Sequence, residues 1–109
     1  MKIEVLYFDG CPSWQTGVDN LQQALRLEGL AWPVELTAVR DDDQAARLQF
    51  LGSPSFRVGD QDLWPEERAE YSMSCRVYRT PEGVKGWPSV DMLRERLRQR
   101  VTELSLRAP

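Results

Sequence analysis

The period of the apolar positions changes at Gly10. Lys2 to Phe8 is rich in β-branched and aromatic residues and is apolar on both faces from Val5 onward, the pattern of a buried central strand. From Ser13 the apolar residues fall at Trp14, Val18, Leu21 and Leu25. That i, i+4, i+7, i+11 stripe predicts an amphipathic helix ending near Gly29. Pro33 to Arg40 alternates, with Val34, Leu36 and Ala38 on one side, and predicts a second strand. Asp42 to Phe50 predicts a short helix. The run Asp41-Asp42-Asp43 is read as its N-terminus, where negative charge complements the helix dipole. Ser53 to Val58 predicts a third strand, and Gly59-Asp60 a turn into Gln61-Asp62-Leu63. Trp64 to Met73 is polar and irregular, and Ser74 to Arg79 predicts a last strand. Ser89 caps a final helix with Val90, Leu93, Leu97, Val101 and Leu104 on one stripe. Its Arg94, Arg96, Arg98 and Arg100 are expected on a solvated face.

The order β-α-β-α-β-β-α predicts an α/β domain. Its four-stranded mixed sheet should run 2-1-3-4 with helices on both faces. The first two strands should be parallel, joined by a right-handed crossover. A chain of 109 residues fits one compact domain, 1–109, with an inserted loop at about 64–74. Such a chain can bury a core without staples, so its two cysteines need not be structural.

Composition removes several chemistries. With no histidine, hydrolases with a histidine base and Cys/His zinc sites are excluded; with two cysteines, so is a four-thiolate zinc site. Net charge is −3 and the basic residues do not cluster outside the last helix, which argues against a nucleic-acid surface. No apolar run approaches the ~20 residues of a membrane span, and the first segment reads as a strand, not a signal peptide. The expected compartment is the cytoplasm, where thiols stay mostly reduced.

What remains is Cys11, in Tyr7-Phe8-Asp9-Gly10-Cys11-Pro12-Ser13-Trp14. It lies between the end of a strand and the first turn of a helix, at an expected exposed edge. The free N–H groups and positive dipole end of a helix favour a thiolate there, and Pro12 suits the first helical position. The thiol is therefore expected to titrate below the ~8.5 of a free cysteine.

Three features together resemble the thioredoxin-like superfamily, and within it the glutaredoxin-like branch. A Cys-Pro motif follows the first strand and opens the first helix. Gly52-Ser53-Pro54 precedes the third strand, where that superfamily carries a cis-proline facing the active cysteine. Pro54-Ser55-Phe56-Arg57-Val58-Gly59-Asp60 resembles the strand and turn that follow it. The resemblance implies a substrate-binding edge made by Ser53 and Pro54, with Pro12 and Trp14 flanking the thiol. It departs at Trp14, which stands where a dithiol enzyme has its second cysteine. The chemistry implied is monothiol, or uses Cys75 as a distant resolving thiol. Arg57 and Arg76 could add positive charge to such a site. For Cys75 itself, a small buried core residue is the plainer reading.

Two functions of different class follow. One is a redox protein, a thiol–disulfide oxidoreductase if it turns over, that acts on a thiol or disulfide, protein or glutathione. The other is a binding module that holds a soft metal ion or a partner through Cys11 and Cys75. No resident cofactor is implied; glutathione would enter as an adduct.

Overall fold

The computed structural model describes residues 1–107. Strand β1 (Ile3–Tyr7) lies at the centre of a four-stranded sheet ordered β2-β1-β3-β4. Its partners are β2 (Val34–Ala38), parallel with Val5 opposite Leu36, and β3 (Ser55–Val58), antiparallel with Val5 opposite Phe56. Ile3, Val5 and Leu6 are all fully buried, as a strand covered on both faces requires.

Helices α1 (Trp14–Leu27) and α3 (Val90–Arg107) share one face, where Leu21, Leu25, Leu93 and Leu97 meet Ile3, Val5, Phe56 and Val58. The short α2 (Asp42–Leu48) covers the other, where Ala45 and Phe50 pack with Leu6 and Val39. The acidic run works as expected: Asp41 accepts from the Gln44 N–H at 2.7 Å, and Gln44 Oε1 accepts from the Arg40 N–H at 2.8 Å. Ser89 caps α3 by accepting from the Met92 N–H at 3.2 Å.

Four expectations are corrected. The fourth sheet strand is β4 (Gln61–Asp62), paired with β3 through the turn at Gly59-Asp60. Ser74 to Arg79 is not that strand: β5 (Tyr78–Thr80) pairs only with β6 (Gly83–Lys85), in a separate hairpin. Leu36 is 46% exposed, because β2 is an edge strand with little packed over that position. The α3 arginines do not form a merely solvated face. Arg94 and Arg98 clasp Glu28 at 2.7–2.9 Å, Arg100 donates to the Val58 carbonyl at 2.9 Å, and Arg96 lies over the Trp64 ring.

The Glu28 clasp ties the end of α1 to α3. Hydrogen bonds from Arg98, then Arg94, pull its carboxyl down to about 2. The folded value lies below the unfolded one, so this contact stabilises the fold above the ordinary carboxylate range. Its contribution is lost as pH falls from about 4.3 through about 2. Acid titration of unfolding should therefore show a shallower slope in that window for Glu28→Gln than for the parent. Identical acid limbs would show the clasp to be energetically idle.

Candidate functional site

The end of β1, the Leu51–Pro54 loop and the segment after Met73 converge on Ser53. Ser53 is fully buried and all of its polar groups are used. Its hydroxyl accepts from the Phe8 N–H at 3.3 Å, holding the loop that leaves β1. Cys11 sits in that loop, its N–H bonded to the Phe8 carbonyl at 3.1 Å. The Cys11 Sγ donates to the Ser53 carbonyl oxygen at 3.5 Å. That oxygen also accepts from the Arg76 N–H at 3.0 Å, while the Ser53 N–H donates to the Ser74 carbonyl at 2.8 Å. Ser53 and Cys75 are thereby bridged as a short parallel pair. A carbonyl oxygen has two lone pairs, and here one serves each side.

Both cysteines are free thiols. They interact: partial desolvation, then the charge and hydrogen bonding of Cys11, push the Cys75 thiol up. Their exposures reverse the sequence expectation. Cys11 is 3% exposed, so it is not at an open edge, and Cys75 is exposed instead of buried in the core. α1 begins at Trp14, after a turn, so Pro12 precedes the helix and is exposed. Trp14 is half-buried and stacks on Tyr7, ring centroids 4.1 Å apart, which makes it a packing residue next to the site.

The reason for the reversal lies one residue on. From Cys75 to Arg79 the chain alternates outward and inward, with Arg76 and Tyr78 inward. The Arg76 guanidinium is buried. Its Nη1 donates to both Asp62 carboxylate oxygens, at 3.1 and 2.9 Å, and to Ser55 Oγ at 3.3 Å; its Nη2 donates to the Trp64 carbonyl at 2.6 Å. The Tyr78 ring lies 5.1 Å below the guanidinium carbon, and its hydroxyl donates to the Pro54 carbonyl. Burial holds the Asp62 carboxyl above the ordinary carboxylate range, against the pull of Arg76. Burial also keeps the Tyr78 phenol protonated far above neutral pH. Period-two alternation allows one face or the other. With Arg76 turned in to meet Asp62, Cys75 must face out.

Arg76 is thus consumed by an internal ion pair, and Arg57 by the carbonyls of Leu48 and Gln49. Neither adds free charge to the thiols. The Ser53–Pro54 bond is cis, as the resemblance implied. The substrate edge expected beside it is already occupied, by the protein's own residues 74–76. Pro54 is buried and packs on α1, where a Cβ at Gly17 would come within 2.8 Å of its Cγ. The roles of Asp62, Ser74 and Gly52 escaped the sequence reading. The one local signal was an aspartate in the otherwise strand-like Gln61-Asp62-Leu63, and nothing in the sequence paired it with Arg76.

Among the described residues no group of three or more Cys, Asp or Glu side chains is placed to hold a metal ion, and no helix is long and apolar enough to cross a membrane. No protein-family model, curated protein or solved structure matches the chain.

Proposed function

We propose that this chain is a thiol–disulfide redox protein of thioredoxin-like architecture, with Cys11 and Cys75 as its redox couple. The observation that carries the reading is that Ser53 holds both cysteine segments: its carbonyl accepts from the Cys11 Sγ, and its backbone is bridged to Cys75. The sheet order β2-β1-β3-β4, with a cysteine directly after β1, supports the architecture. Sites in open α/β sheets favour the carboxyl ends of such strands.

The couple balances simply. Two protein thiols and one external disulfide give one Cys11–Cys75 disulfide and two external thiols. Two electrons leave the protein sulfurs, and their two protons end on the departing thiols. Trp14 removes any local partner for Cys11, so Cys75 is the intramolecular partner, and the chemistry is dithiol across the fold.

Mild oxidation of the monomer with diamide tests this. The expected product is an intramolecular Cys11–Cys75 disulfide, lighter by two hydrogens, reversed by dithiothreitol. If only intermolecular disulfides form, the couple does not exist. The same pair of sulfurs also suits a soft ion in two-coordinate geometry. Stoichiometric retention of copper(I) or mercury(II) against excess small thiol, with no disulfide on oxidation, would decide for a binding module instead.

A further inference from the structure

We infer that Cys75, not Cys11, is the sulfur that exchanges with the outside, and that its partner is a low-molecular-weight disulfide or thiol, not an extended peptide. The inference rests on the redox reading above and assigns the parts within it.

The first argument is access. Thiol–disulfide exchange requires an external sulfur to approach the attacking sulfur in line with the bond being broken. Cys11 is buried, and its Sγ points at the Ser53 carbonyl. Cys75 is exposed, on the outward side of the segment bridged to Ser53. An external disulfide meets Cys75 first.

The second argument concerns recognition. A peptide held by β-pairing beside Pro54 needs the N–H and carbonyl of Ser53. Both are bonded at 2.8 and 3.0 Å to Ser74 and Arg76. The internal segment is anchored by a buried ion pair, at 2.9 Å, and by the Tyr78 hydroxyl on the Pro54 carbonyl. That edge is therefore not free to take a second strand. A small disulfide needs no such edge; it needs only the Cys75 sulfur.

The steps follow. The Cys75 thiolate attacks one sulfur of RSSR; that S–S bond breaks, RS⁻ leaves, and a Cys75–SR mixed disulfide forms. Cys11 then loses its proton, gives up its bond to the Ser53 carbonyl and attacks Cys75 Sγ. The Cys75–SR bond breaks, a second RS⁻ leaves, and the Cys11–Cys75 disulfide forms. The protons from the two cysteines are taken up by the two RS⁻. In reverse, an external thiolate attacks the exposed Cys75 sulfur and Cys11 is the leaving group. Cys11 needs no access to solvent in either direction. Because partial desolvation and the neighbouring Cys11 hold the Cys75 thiol up, exchange accelerates as pH rises.

The test uses oxidised glutathione as the small disulfide and a strand-forming peptide disulfide as the competitor, at mildly alkaline pH. Acid quenching and peptide mapping locate the adducts. In Cys11→Ser, a glutathione adduct should accumulate on Cys75. In Cys75→Ser, the Cys11 adduct should form at least about tenfold more slowly while folded, and at a similar rate in denaturant. In the unaltered protein, a substoichiometric pulse of maleimide should label Cys75 first, which guards against a variant that folds poorly. Faster reaction at Cys11 in either format overturns the assignment, and a peptide disulfide that outpaces glutathione overturns the substrate class. If Cys75 takes the adduct but the unaltered protein never closes the internal disulfide, the redox couple fails and the exposed-thiol assignment survives.

Discussion

Arg76→Ala is expected to lower the free energy of unfolding by about 3–5 kcal/mol, the usual cost of leaving one member of a buried ion pair alone. Asp62 is within 3.1 Å of the guanidinium through both oxygens, and among the described residues no other cation is hydrogen-bonded to it. The loss should depend on pH. Burial already raises the Asp62 carboxyl, and removal of Arg76 raises it further. A carboxyl with a folded value above its unfolded ~3.9 binds more protons in the native state, so stability is lost as pH rises through that window. The deficit of Arg76→Ala should thus be smallest in mild acid and largest at neutral pH. The double variant Asp62→Asn, Arg76→Met should recover a large part of it, since no unpaired charge is then buried. Guanidinium unfolding across pH reads all three. A pH-independent loss below about 1 kcal/mol, the scale of an exposed pair, would show that the pair does not set the register.

Gly52→Ala should uncouple the two thiols with less damage to the rest of the fold. Gly52 has φ +112°, a region costly to any residue with a Cβ, by about 1–3 kcal/mol. The added methyl would also stand 2.8 Å from the Arg76 Cβ and 3.1 Å from its Cα and N. These atoms belong to the segment that carries Cys75, which can only move away from Ser53. The expected result is loss of amide exchange protection at Arg76 and Ser53, the two donors of the bridge, with protection in β1 and β3 retained. Closure of the Cys11–Cys75 disulfide should slow in parallel. Full protection at both amides would mean that the loop absorbs the methyl elsewhere and that Gly52 is not what lets the segment approach.

Much of the architecture was legible because it depends on short-range periodicity. The double-sided apolar run at Val5 and Leu6 can only sit mid-sheet, and the Val18-Leu21-Leu25 stripe can only face a core. Ser89 and Asp41 announce helix starts through hydrogen bonds that span three residues. The same local logic failed between Trp64 and Arg79. Hydrophobicity alone puts Cys75 and Val77 inside and Arg76 outside; Val77 is 69% exposed and Arg76 is buried. The fourth sheet strand was misplaced for a related reason: two short segments competed for one edge of β3, and the tight Gly59-Asp60 turn gave that edge to Gln61–Asp62.

The sequence by itself determined that a cysteine follows the first strand, that no local second thiol accompanies it, and that histidine chemistry is absent. Tertiary structure alone decided which thiol faces the solvent and where the second one lies. Those outcomes depend on Asp62, 14 residues before Arg76, which draws an arginine inward and so turns its neighbour outward. A buried charge must find its counter-charge wherever the chain has put it, and a strand's two faces are linked by a fixed period of two. That non-local requirement sets the exposure of Cys75, and no pattern read along the chain contains it.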